Sequence, residues 1–132
     1  MSEQSLKPGL DPYQFIREKI DSVPHLEALI LFWNSRPVGW TCDELASRLY
    51  VPSEQVAEVI RDLVRLQIVH ETHGSPAKYS YLPSEEKNTM MRLVDEVYRR
   101  DLVRISTMIH SKASSPIREF ARAFRIRKER DT

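Results

Sequence analysis

Cysteine, glycine and continuous apolar sequence are all scarce in these 132 residues. The single cysteine, Cys42, excludes an internal disulfide and suits a reducing compartment. Three glycines leave too few turn positions for a hairpin-rich all-β fold. The longest apolar run, Ala28 to Trp33, falls far short of the roughly 20 residues that cross a bilayer. The opening stretch MSEQSLKPGLDPYQF has neither the basic start nor the apolar run of a secretion signal. Net charge is +1, so the whole-chain charge points to no polyanion partner. Together these features lead us to expect a soluble, cytoplasmic protein that does not enter the membrane.

The apolar content of 41% is enough for one modest core, and the length suits one domain with an appendage. Residues 1–10 are polar. Asp11-Pro12 reads as a helix start, because Asp can cap and Pro is tolerated at the first helical position. After Ser22-Val23-Pro24, Leu26, Leu29, Ile30 and Trp33 form a helical stripe that Leu31 and Phe32 widen, so this helix should be buried on most sides. Thr41-Cys42-Asp43-Glu44 has the pattern of a capping box, followed by Leu45, Ala46 and Leu49 on one face. Val51-Pro52 breaks the chain. Ser53 is then expected to cap a helix with the inward stripe Val56, Val59, Ile60, Leu63 and Leu66. QIVHETH and KYSYL are β-rich and flank GSPA, which predicts a hairpin with a tip of about four residues.

From Pro83-Ser84 the helical pattern shows no break until Ser111. About 28 residues at 1.5 Å each give one helix of roughly 40 Å. Its apolar stripe exceeds what a sixty-residue domain of this kind should cover. Ser115-Pro116 then starts an amphipathic helix bearing Phe120 and Phe124, and a charged tail follows. The organisation expected is an N-terminal arm and short helix over 1–22, a small domain over 23–83, and helices over 84–132.

Signatures of enzymes are missing. No glycine-rich phosphate loop and no nucleophile elbow occur, so no catalytic and no cofactor-binding residues are expected. His70 and His73 lie three apart on a strand and so face opposite sides, which argues against a metal site. Cys42 stands at a helix start, where the dipole would lower a thiol pKa and suit a redox sensor. Equally, it can be a small residue tucked into the helix start.

The order helix, short extended piece (Trp40-Thr41), helix (ELASRLYV), helix (VAEVIRDLVRLQIV) and hairpin (HGSPA tip) resembles the winged helix-turn-helix domain of bacterial transcription regulators. With flanking helices on both sides it is similar to the regulators of multiple antibiotic resistance. The resemblance implies a mainly α fold with a small β-hairpin, a dimer formed through the outer helices, and binding to double-stranded DNA. Carried onto this chain, it makes Ser53, Gln55, Arg61 and Arg65 candidates for the reading helix, and Arg48 and Lys78 candidates for phosphate contacts. The extended apolar stripe nominates Val94, Tyr98, Leu102, Ile105, Ile109, Phe120 and Phe124 for a dimer interface.

Charge argues for a rival reading. Residues 23–83 hold five basic against seven acidic side chains, and the reading helix opens SEQVAEVIRD. Glu54 and Glu58 would sit near phosphates and oppose the counterion-release affinity on which DNA binding draws. A Glu can accept from cytosine, and Gln55 and Arg61 can read adenine and guanine. Alternatively, Glu58 and Asp62 pair with Arg61 and Arg65 at helical spacing. The basic residues concentrate later, with Arg118, Arg122, Arg125, Arg127, Lys128 and Arg130 in the last fifteen positions. These can form a phosphate-gripping arm or the solvated face of a helix. A winged-helix module that binds a protein partner instead of DNA therefore stands beside the DNA reader.

Overall fold

The computed structural model describes residues 10–114. The fold is mainly helical, with six helices and one hairpin among these residues. Helix α1 spans Pro12–Lys19, with Asp11 accepting from the Tyr13 N–H at 3.0 Å and Pro12 in the first turn. Helix α2 spans Val23–Ser35, capped by Ser22, and buries Leu26, Ala28, Leu29 and Phe32 completely. Helix α3 spans Cys42–Leu49. Its capping box forms as the sequence predicts: Thr41 Oγ1 accepts from the Glu44 N–H at 3.1 Å, and Glu44 accepts from the Thr41 N–H at 2.9 Å.

Tyr50, in the left-handed region at φ 59°, stops α3. Helix α4 follows over Ser53–Arg65. Ser53 was expected to cap it and does not. Pro52 occupies the cap position and has no side-chain donor or acceptor, while the Ser53 hydroxyl donates to Asp43 at 3.2 Å. The serine sits one residue too far into the helix to cap it. Helix α4 ends through Gln67 at φ 62°, a conformation that most non-glycine residues avoid. Strands β1 (Val69–Thr72) and β2 (Lys78–Tyr81) pair antiparallel with Val69 opposite Tyr81 and Thr72 opposite Lys78. The tip therefore holds five residues, 73–77. Trp40 bridges to Tyr79 through two 2.8 Å backbone hydrogen bonds, adding a short third strand.

The expected single long helix is two helices. Helix α5 runs Glu85–Arg100 and α6 runs Leu102–Ser114, with Asp101 between them at φ −137°, ψ 37°. Asp tends to leave helices by hydrogen bonding elsewhere. Here its carboxylate accepts from the Tyr13 hydroxyl at 2.8 Å and lies 3.6 Å from Arg104, whose guanidinium covers the Tyr13 ring at 4.5 Å. The break turns α6 back, so that α1 packs against both α5 and α6.

That turn changes where the apolar stripe goes. Val94 and Ile105 are fully buried and Ile109 is 1% exposed, all within the chain's own core, and Tyr98 is half-buried against it. Val94, Ile105 and Ile109 are thereby removed from the expected dimer interface. Leu102 remains exposed, beside Val103 at 81%. Phe120, Phe124 and the basic residues after Arg118 lie outside the described residues. No helix among the described residues is long and apolar enough to cross a membrane.

Truncating Ile105 to Ala should lower unfolding stability by about 2–5 kcal/mol. Thr107→Ser, exposed on the same helix, should change it by less than about 0.5 kcal/mol. Urea denaturation of the two variants separates them. Similar losses for both would mean that α6 does not pack as described.

Candidate nucleic-acid interface

Helix α4 is fixed by two devices. Its apolar face, Val56, Val59, Ile60 and Leu63, is buried in the core. One polar residue is fastened as well. Asp62 Oδ2 lies 2.8 Å from Nε2 of His25 on α2, and Asp62 Oδ1 lies 3.0 Å from Arg65. The other ring nitrogen of His25 lies 2.6 Å from Ser22 Oγ. A neutral ring with its proton on Nε2 satisfies both contacts, donating to Asp62 and accepting from Ser22. His25 is 8% exposed, so its ring acts as a buried strut from the start of α2 to the last turns of α4.

The C-terminal end of α4 is held from the other side. Lys87, on the first turn of α5, donates to the Gln67 carbonyl, and burial lowers the lysine pKa. The left-handed Gln67 thus presents its carbonyl to a cation. Neither His25 nor Lys87 stood out in the sequence, because their partners are 37 and 20 residues away. A buried His near a helix start and a lysine three residues after Ser84 are ordinary when read alone.

With these faces used, α4 exposes Ser53, Glu54, Gln55, Ala57, Glu58, Arg61 and Arg65. The two arginines differ. Arg65 is engaged by Asp62, whereas the side chains of Glu54, Gln55, Glu58 and Arg61 make no hydrogen bond or ion pair with any described residue. The expected pairing of Asp62 with Arg65 is present. Pairing of Glu58 with Arg61 or Asp62 with Arg61 is not. Charge along the helix follows its dipole, with Glu54 in the first turn and Arg65 in the last.

Arg48 and Lys78 come together elsewhere. Both line one open groove of about 550 Å³ with Val38, Gly39, Trp40, Glu44, Ser47 and Tyr50. The Arg48 guanidinium lies 5.6 Å from the Trp40 ring, over its face. The Lys78 stem runs beside Gly39, where a Cβ would meet Lys78 Cβ at 3.4 Å, an ordinary contact. Tyr50 is 93% exposed at the groove rim. The candidates thus fall into two groups, Gln55 and Arg61 on α4, and Arg48 and Lys78 beside the hairpin, with Lys78 at the tip end of β2. Ser53 is committed to Asp43.

The remaining chemistry is quiet. Nε2 of His70 lies 3.2 Å from Ser80 Oγ, directly across the hairpin. Burial, and then the Asp43 carboxylate, raise the Cys42 pKa, and the thiol lies 3.6 Å from the Ser53 carbonyl. The sequence reading of a dipole-activated thiol is therefore reversed: desolvation and a neighbouring acid outweigh the helix start.

Two short helices joined by a tight turn, then a two-stranded hairpin with a short third strand, define a winged helix-turn-helix. No family model and no curated protein matches the sequence. Solved structures share this fold. MepR, which regulates the Staphylococcus aureus multidrug efflux pump MepA, superposes with a TM-score of 0.54 at 11% identity, covering 91% of this chain and 86% of that one. RV1404 from Mycobacterium tuberculosis gives 0.53 at 15% identity, covering 90% and 79%. The multiple antibiotic-resistance repressor MarR of Listeria monocytogenes gives 0.49 at 14% identity, covering 98% and 85%. At 11% and 15% identity, the likeness to MepR and RV1404 shows the fold alone.

Replacing His25 with Ala removes one partner of a half-buried carboxylate. Unfolding stability should fall by about 1.5–3 kcal/mol, the range for a hydrogen bond to a charged group. A change under about 0.5 kcal/mol in chemical denaturation would mean that the strut does not hold α4.

Proposed function

We propose that this protein is a dimeric winged-helix regulator of transcription that binds duplex DNA. The observation that carries this reading is the presentation of α4. Its apolar face is sealed, Asp62 is drawn back to His25, and Gln55 and Arg61 are left exposed and unpaired among the described residues. In such folds the second helix lies in the major groove, its N-terminal residues, here the turn of Gln55, on base edges, with Arg61 on the following turns of the same exposed face. Arg48 and Lys78, on the separate groove beside the hairpin, supply cations for phosphate. The fold shared with MepR supports the same reading.

The dimer would form through the outer helices. Leu102 and Val103, exposed at the α5–α6 junction, are the apolar side chains available there among the described residues, with Tyr98 half-buried nearby. Two copies double a weak set of contacts. The reading is of a cytoplasmic, non-enzymatic protein that acts by binding.

A second reading draws on a separate observation. Glu54 and Glu58 project from α4 with no cationic partner among the described residues. A winged-helix module that docks on a basic protein surface would use such acids directly.

Retention of genomic duplex fragments at two salt concentrations separates these readings. A regulator enriches one palindromic site and loses it as salt rises. In that case Arg61→Ala should weaken specific binding by about 5- to 100-fold. Lys78→Ala should weaken all duplexes alike and reduce the salt slope by about one. No retention at low salt, with one stoichiometric, nuclease-resistant protein recovered instead, would favour the docking module.

A further inference from the structure

Glu58 and Arg61 lie three positions apart on the exposed face of α4, opposite Val59 and Leu63, and no ion pair joins them. An acid and a base at this spacing ordinarily pair with each other. Left unpaired and solvated, each is free to meet a partner outside the chain. The separation of three residues is about 4.5 Å along the helix axis. That is close to the ~3.4 Å step between neighbouring bases.

The chemistry of the major groove limits what each can meet. A carboxylate only accepts, and the groove offers donors only at the amino groups of cytosine and adenine. The adenine amino group is flanked by acceptors on both sides, its own N7 and O4 of the paired thymine, whereas the cytosine amino group has one on a single side, O6 of the paired guanine, and so repels a second carboxylate oxygen less. Anywhere else in the groove, the acid faces phosphates or base acceptors and is repelled. Arg61 has the converse requirement, and guanine answers it with O6 and N7 together.

We infer that Glu58 and Arg61 form a two-part reader of cytosine and guanine, taking C and G from one base pair or from two neighbouring pairs. On this account the acidic character of α4 is a source of selectivity, obtained at the expense of general affinity for DNA. The inference rests on the proposed DNA binding. Asp62, the third acid of the helix, has no share in reading, because His25 and Arg65 already hold both of its oxygens.

The test uses the full chain in four forms: wild type, Glu58→Ala, Glu58→Gln and Arg61→Ala. Each is used to select from randomised duplexes, then titrated against the winning site and against copies with single base-pair changes. Glu58 is exposed, so the variants should fold, which circular dichroism checks. Wild type should prefer C·G over T·A at one position by about tenfold or more. Glu58→Ala should cut that preference to about twofold or less while binding unrelated duplex more tightly, as an acid near phosphates has gone. Glu58→Gln should move the preferred base there from cytosine to adenine, which matches an amide at N6 and N7. Arg61→Ala should lose the guanine preference at the same or the adjacent pair. If Glu58→Ala tightens binding to every duplex equally and leaves the base preference intact, Glu58 is only a repulsive charge and the inference is overturned. Binding by wild type without any base preference overturns it too. If none of the four retains duplex at low salt, the proposed DNA binding fails and the inference fails with it.

Discussion

Burial of α2 is the constraint on which the rest of this molecule depends. Leu26, Ala28, Leu29 and Phe32 have no solvent exposure, and Trp33 packs edge-on against Tyr81 of the hairpin with ring centroids 5.4 Å apart. Each fully buried large apolar side chain contributes about 1.5–3 kcal/mol relative to exposure. Helices α3 and α4 and strand β2 all pack on α2. The one polar residue buried near its start, His25, uses both ring nitrogens, so the core carries a polar link without an orphaned atom. Helix α4 is therefore positioned from behind, by groups that lie in the interior.

Electrostatics divides the same surface into separate roles. Asp62 lies on α4 but belongs to the interior through His25, and Arg65 follows it as a partner. Glu54, Glu58, Gln55 and Arg61 keep their side chains for something outside the chain. A whole-domain charge count treats these acids as equivalent, although one of the three on α4 is already satisfied. That distinction moderates the argument that an acidic helix cannot face DNA.

Local patterns were legible in the sequence, and long-range partners were not. The Thr41–Glu44 box, the Asp11 cap and the stripe of α4 follow from residues a few positions apart, and the hairpin from two β-rich runs flanking one turn. Ser53 was misread because two neighbouring residues, Pro52 and Ser53, both suit a helix start, and tertiary contact with Asp43 decided between them. The continuous helix over 84–111 failed at Asp101 for a similar reason, since Tyr13 is 88 residues away. Periodicity puts Val94, Ile105 and Ile109 on one apolar face, which suits a dimer interface but is instead part of the chain's own core. It could not say what that face packs against, and the folding back of α6 supplies the answer from the same chain. Gln67 stood where such domains often have glycine. The left-handed backbone there explains the preference, and Lys87 offers its carbonyl a partner.

Helix α5 is tied down at both extremities. Its first turn grips the end of α4 through Lys87, and the residue that closes it, Asp101, is held by Tyr13 of α1. Sixteen residues at 1.5 Å each make it a rod of about 24 Å. A rod pinned at each end cannot tilt at one without displacing the other. Through it the end of α4 and the start of α1 are joined, by one hydrogen bond at each end.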